Sequence, residues 1–163
     1  MPGPATGYMD PMPDAERPDE EAEERDAIAR FAEMVRGMHF SMLTTVGPDG
    51  SLRSRPMATQ DQSADGTLWF LVAADSGAAE DLAVRADVNL AFSSPDEQRW
   101  VSVSGSATML DDRARIAELW NPLYEAWFPA GPADPGVRVV RVEVGAIHHW
   151  DATSSRMVQL RDG

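Results

Sequence analysis

The chain has 163 residues and a formal net charge of −13, with no cysteine and no lysine, so that arginine supplies all 14 of its permanent cations. The missing cysteine excludes disulfides, thiolate nucleophiles and zinc–sulfur sites, and the missing lysine excludes Schiff-base enzymes and P-loops. So acidic a chain is also poorly suited to nucleic acid, whose phosphates require a basic face.

The beginning of the chain carries neither a cationic start nor an apolar run, so the sequence predicts no signal peptide. No stretch reaches the roughly 18 apolar residues of a membrane helix. We therefore expect a cytoplasmic protein without a membrane partner. Five prolines over residues 1–18 predict a disordered, acidic, proline-rich tail, followed by one domain over residues 19–163.

A first helix is predicted from Asp19, because acidic residues at its start and arginines further along suit the helix macrodipole. Ile28, Phe31 and Val35 form an apolar stripe at helical spacing. Gly37 is a typical stop. We interpret the acidic run as a solvated helix face, and a partner-binding patch is the alternative.

The rest of the chain alternates strand patterns with short helices. Strands are predicted over residues 39–46, 52–60, 67–74, 88–93, 100–109 and 137–150. Short helices are predicted over residues 77–87 and 123–128, and another after Asp111 or Asp112, either of which suits a cap. This order indicates an α+β fold with a mainly antiparallel sheet or barrel and peripheral short helices.

Familiar catalytic and metal motifs are missing from the sequence. It contains no HExxH, GxSxG, GxGxxG or EF-hand loop. His148 and His149 are neighbours on a predicted strand, so they point to opposite faces and are expected to be structural rather than metal ligands. We nominate no catalytic residue and no metal ligand.

The second predicted strand carries the pattern most suggestive of binding. Arg53 and Arg55 lie two residues apart, which places both on one face of an extended chain. Such a pair can grip a phosphate or carboxylate through parallel charge-assisted hydrogen bonds. Pro56 offers no N–H to a sheet and therefore marks an edge, a bulge or interrupted pairing. The alternative is a pair of surface arginines that meet some of the many acids.

Five tryptophans are many for this length. Trp69, Trp100 and Trp150 lie on predicted strands, where a flat apolar ligand such as an isoalloxazine ring could stack on them. Core packing explains the same residues, so the aromatic count leaves both interpretations open.

Together these segments resemble the general stress proteins of the pyridoxamine 5′-phosphate oxidase-like group. The resemblance covers about residues 27–160 and includes HFSMLTTVGPDGSLRSRPMATQ, DGTLWFLVAADS, RWVSVSGSATMLDD, LWNPLYEAWFPAGPADPG and HHWDATSS in this order. It implies a six-stranded split β-barrel that forms a homodimer and binds FMN in a cleft built by both subunits. FAD or another flavin is the alternative cofactor.

The resemblance also implies roles for individual residues. Arg55 would bind the phosphate with help from Arg53, and Ser76 would open the phosphate-binding turn. The flavin ring would lie along Pro56, Met57 and Ala58, beside a strand formed by Trp69, Phe70 and Leu71. Trp100 would face the partner's flavin, Trp150 would close over the ring, and Arg156 would lie where related oxidases bind substrate.

The sequence departs from this pattern at two cations. Ala78 occupies the phosphate-turn position where a lysine is expected, and Gln60 stands where the oxidases carry another. Oxidation of vitamin B6 is therefore not expected. The sequence leaves three functions open: a flavin-dependent oxidoreductase with a nicotinamide donor, a non-enzymatic flavin-binding or sensing stress module, and a cofactor-less dimeric scaffold.

Overall fold

The computed structural model describes residues 18–60 and 65–163. Within these ranges the helices are α1 (Pro18–Val35), α2 (Gly77–Val84) and α3 (Arg113–Leu119). The strands are β1 (Phe40–Val46), β2 (Leu52–Ala58), β3 (Leu68–Ala73), β4 (Asp87–Ser94), β5 (Arg99–Leu110), β6 (Val137–Asp151) and β7 (Arg156–Arg161). Short 3-10 turns lie at Pro95–Glu97, Pro122–Ala126 and Gly131–Ala133. The predicted tail lies outside the described residues, apart from Pro18, which begins α1.

The strands form one antiparallel sheet in the order β2-β1-β4-β5-β6-β3, and β7 pairs with β6. The two edges, β2 and β3, come together only just beyond β2, where the Gln60 N–H donates to the Trp69 carbonyl at 3.3 Å. The sheet therefore curls into a barrel that stays open between β2 and β3. This confirms the predicted α+β fold with a split antiparallel barrel.

The seventh strand, β7, was not predicted. After β6 the Asp151 carboxylate accepts hydrogen bonds from the N–H groups of Thr153 and Ser154 at 3.2 and 3.1 Å. Ser155 then adopts the left-handed region, with φ of 52°. This local turn reverses the chain, so that Arg156 pairs with Asp151 and starts β7. The polar sequence between the two strands had indicated the end of the sheet instead.

Proline explains where the sheet has an edge. Pro56 lies in β2, which pairs with β1 on one side. Because proline donates no hydrogen bond to a neighbouring strand, β2 suits an edge position. Of the three alternatives predicted for Pro56, which were an edge, a bulge or interrupted pairing, the structure shows the edge.

Helix α1 packs its apolar stripe against the barrel interior. Ile28, Phe31 and Val35 are buried there, and the rings of Phe31 and Phe92 meet edge to face at 5.9 Å between centroids. A second, smaller cluster lies between the β3–β6 pair and the segment from α3 to Phe128. The Asp112 carboxylate caps α3 by accepting the Arg115 N–H at 3.0 Å, as predicted for one of the two aspartates. No helix in the described part of the chain is long and apolar enough to cross a membrane.

The buried ring of Phe31 should hold α1 onto the barrel. Replacing Phe31 by alanine should lower the free energy of unfolding by about 3–5 kcal/mol, because the change removes apolar contacts and leaves a cavity. Arg30→Ala, at an exposed position of the same helix, should change it by no more than about 0.5 kcal/mol. Urea unfolding followed by circular dichroism measures both values. Equal stability of the two variants would show that α1 does not pack as described.

Candidate functional site

A cavity of about 460 Å³ lies in the opening between β2 and β3. One wall is formed by residues 55–58 of β2 and the other by residues 71–73 of β3. Residues 76–78, at the start of α2, line one part of the cavity, and four aromatic residues line another: Phe40, Tyr124, Trp127 and Phe128. The split in the barrel therefore offers room for a ligand.

The polar end of the cavity combines an arginine with a helix start. Arg55 lines it and its side chain is 24% exposed, so the guanidinium is both held and accessible. Gly77 and Ala78 belong to the first turn of α2, whose N–H groups have no intrahelical acceptor. Ser76 caps this helix: its hydroxyl donates to the Ala73 carbonyl at 2.6 Å and accepts the Ala79 N–H at 3.2 Å. These groups together suit an anion.

Behind this end lies a buried carboxylate that the sequence analysis missed. Asp81 of α2 is 0% exposed, and its two oxygens have different partners. Oδ1 accepts from Arg53 at 3.3 Å, whereas Oδ2 accepts from Arg55 at 3.3 Å and from the Thr45 hydroxyl at 2.6 Å. Arg55 also donates to the Thr45 hydroxyl, at 2.7 Å. One carboxylate thus anchors both arginines of β2.

The other end of the cavity is aromatic. Phe40 pairs with Ala58 across β1 and β2, and Trp127 stands at the cavity wall with 57% of its surface exposed. The Tyr124 hydroxyl accepts from the Gln60 amide at 2.7 Å and approaches the Ala58 carbonyl at 3.5 Å. Burial raises the pKa of the Tyr124 phenol above its ordinary value, so this ring stays neutral around pH 7. Neutral flat rings of this kind suit an apolar planar ligand.

The structure brings together six of the residues nominated from the sequence. They line one cavity: Arg55, Pro56, Met57, Ala58, Leu71 and Ser76. The other six nominated residues do not line it: Arg53, Trp69, Phe70, Trp100, Trp150 and Arg156. Arg53 still belongs to the polar end through its contact with Asp81.

The remaining five residues lie in three other places. The Arg115 guanidinium sits over the Trp69 ring, 4.4 Å from its centroid, and Phe70 is fully buried in the barrel core. Trp100 and Trp150 meet edge to face with centroids 6.4 Å apart. Trp150 pairs with Met157 and Asp151 pairs with Arg156 across the β6–β7 turn, so Arg156 is one register position from Trp150 and belongs to the opposite face of the sheet.

Several lining residues were not nominated from the sequence. Tyr124, Trp127 and Phe128 belong to the motif that carried the resemblance, but no role was derived for them. Phe40 was only part of a predicted strand. Gln60 was noted as standing where the oxidases carry a lysine. In the structure its amide donates to the Tyr124 hydroxyl and also to the carbonyl of Leu119, the last residue of α3, at 3.1 Å. Gln60 therefore joins the end of α3 to Tyr124. The cluster of aromatic residues in the segment 124–128 was the available signal.

The size and lining of the cavity suit the binding of a small molecule. Its size falls within the range of about 300–1,000 Å³ that is usual for small-molecule sites. A guanidinium has five N–H donors, of which Arg55 uses one for Thr45 and one for Asp81, so donors remain for an anion. Within residues 18–60 and 65–163, no group of three or more histidine and acidic side chains could hold a metal ion.

Comparison with known proteins agrees with this geometry. The structure is similar to that of a protein from Clostridium acetobutylicum related to general stress protein 26, with a TM-score of 0.72 at 18% identity, covering 83% of this chain and 94% of that one. It also resembles the general stress FMN/FAD binding protein of Xanthomonas citri, with a TM-score of 0.65 at 29% identity, covering 77% of this chain and 89% of that one.

Sequence comparison extends the match to a family. Protein bli-3 of Neurospora crassa is 33% identical over 133 residues, which are 76% of this chain and 64% of that protein. The chain thus spans less than two thirds of this curated relative. The model of the family described as pyridoxamine 5′-phosphate oxidase like matches residues 26–162. The chain therefore belongs to the pyridoxamine 5′-phosphate oxidase-like family.

Proposed function

We propose that the chain is a flavin-binding general stress protein that holds FMN in the cavity between β2 and β3. The observation that carries this proposal is the polarity of the cavity, with an anchored arginine and free helix N–H groups at one end and apolar walls beyond them. FMN has the matching shape, since a phosphate is joined to a flat, largely apolar ring. The solved relative from Xanthomonas citri, 29% identical, is itself named as an FMN/FAD binding protein.

The residues present fit such a ligand. Arg55 would donate its remaining N–H groups to the phosphate, and the N–H groups of Gly77 and Ala78 would complete the contact. Met57, Ala58 and Leu71 would border the ring. The neutral Tyr124 and the exposed Trp127 offer aromatic faces and edges on the other side.

A second copy of the chain is part of the proposal. On the outer face of the sheet the apolar side chain of Met42 lies between Pro56 and Ala91, and Ser102 follows Ala91 on the next strand. Trp100, Trp150 and Met157 extend this face across β5, β6 and β7. A homodimer formed through this face would cover it, and it would bring the tryptophan pair towards the partner's cavity. That arrangement would give a role to Trp100 and Trp150, which line no cavity in their own chain.

Bound flavin would supply hydride chemistry, whereas the chain would supply position and charge. The alternative is a non-enzymatic module that binds or senses flavin. Spectral bleaching of the bound flavin by NADH or NADPH, faster than that of free flavin, would favour an oxidoreductase. Unchanged bleaching would favour the non-enzymatic module.

Purified protein freed of ligand should quench FMN fluorescence, with saturation at one flavin per chain and a dissociation constant in the micromolar range or tighter. FAD and riboflavin are titrated in parallel. Affinity for FMN above that for riboflavin is expected, because the phosphate adds contacts with Arg55. The absence of binding by all three flavins would instead support a cofactor-less dimeric scaffold.

Replacing Arg55 by alanine should weaken FMN binding by roughly ten- to a hundredfold, the usual effect of losing a hydrogen bond to a charged group. Riboflavin affinity should change little, because riboflavin has no phosphate, and this comparison also shows that the variant is folded. Arg85→Ala is the matched control, since Arg85 is exposed at the end of α2. If the Arg55 variant binds FMN as the wild type does, Arg55 does not hold the phosphate.

Replacing Met42 by glutamate should convert the dimer to monomer, because a charge in the centre of an apolar interface is buried without a partner. Met42 is 42% exposed in the single chain. Light scattering coupled to size-exclusion chromatography measures the mass. Val84→Glu, at a 62% exposed apolar position on α2, should leave the mass unchanged. A monomeric wild-type protein, or a dimeric Met42 variant, would contradict the proposed interface.

A further inference from the structure

At the polar end of the cavity, a buried acid partly neutralises the positive charge of two arginines. Arg53 and Arg55 contribute two positive charges, and the carboxylate of Asp81 lies 3.3 Å from a guanidinium nitrogen of each. The formal charge of these three residues is therefore +1. Arg53 also lies 3.7 Å from Asp49, an exposed acid whose charge water and salt screen more strongly than that of the buried Asp81. Because the chain has no lysine, no lysine ammonium group adds to this positive charge.

The carboxylate is held in place by its surroundings. Asp81 is fully buried, and the Thr45 hydroxyl donates to its Oδ2 at 2.6 Å. Asp81 does not line the cavity, whereas Arg55 does. A ligand that binds Arg55 would thus contact a guanidinium that is already hydrogen-bonded to an anion. The burial of Asp81 also keeps water and salt from screening its charge as they screen exposed acids.

We propose that Asp81 is an internal counter-anion that limits the negative charge of the ligand that this cavity binds. A flavin with a singly charged ester should therefore bind about as tightly as a flavin with a dianionic phosphate. The inference rests on the proposed flavin binding. A second ligand charge would find no unneutralised cation to offset its loss of water.

The role assigned to Asp81 differs from a purely structural one. If Asp81 only positioned the arginines, its removal would weaken binding of every charged flavin. If it acts as a counter-anion, its removal should strengthen binding, and the gain should grow with the charge of the ligand. The sign and the gradation of the change therefore separate the two roles.

The experiment uses three flavins that differ in charge: riboflavin, riboflavin 5′-sulfate with one negative charge, and FMN. Fluorescence titrations are run about two pH units above the second phosphate pKa of roughly 6, where FMN carries two charges. In Asp81→Asn we expect riboflavin affinity to be unchanged, the sulfate ester to gain about threefold and FMN about tenfold. Glu80→Gln, an exposed acid on the same helix, removes the same charge and should change each affinity by less than about twofold.

A loss of FMN affinity in Asp81→Asn, or an equal change for all three flavins, would overturn the proposal. The wild type provides a test that does not require the variant to fold: FMN should bind less than about threefold more tightly than the sulfate ester, and an advantage above about tenfold would overturn it. If no flavin binds the wild type, the proposed function fails together with this inference. If flavins bind without the expected charge pattern, only this inference fails.

Discussion

The sheet does not close between β2 and β3, and the site depends on that opening. The two edge strands are joined by the hydrogen bond from Gln60 to Trp69 at one end, and they separate towards Arg55 and Ser76 at the other. A closed barrel of this size would fill its interior with side chains. Here the interior is filled as well, by residues such as Phe70 and Leu90. The ligand space therefore lies in the wall of the barrel rather than in its centre.

This arrangement explains why the cavity has two chemically different ends. Residues 55–58 run along the opening. The position of a residue along β2 therefore decides whether it lies near the start of α2 or near the aromatic residues. Arg55 lies at the end where α2 begins, whereas Ala58 lies at the end where Tyr124 approaches its carbonyl. One extended strand thus connects an anion-binding end to an aromatic end over three residues. A ligand with a charged group and a flat apolar ring matches that order.

Much of the fold could be predicted because its signals are local. Alternation in β5, the proline in β2 and the cap at Asp112 each act within a few residues. The turn after Asp151 and the strand β7 were missed, because Ser155 takes a left-handed conformation that its residue type does not indicate. Arg55 was singled out with Arg53 by their spacing on β2, and the family motifs supplied the neighbouring residues 56–58. The tryptophan pair could not be placed from the sequence, because the pairing of β6 with β5 and with β7 determines its neighbours.

Asp81 shows why the charge of a site is harder to predict than its shape. In sequence it is one acid among many, on a short helix where an exposed position would be the usual expectation. Its partners lie 26, 28 and 36 residues away, at Arg55, Arg53 and Thr45. Only the packing of α2 against β1 brings them together. A buried carboxylate requires cations that reach it with directed donors, and arginine meets that need through its planar fork. In a chain without lysine, the same contacts that bury Asp81 therefore fix the geometry of the arginine that faces the cavity.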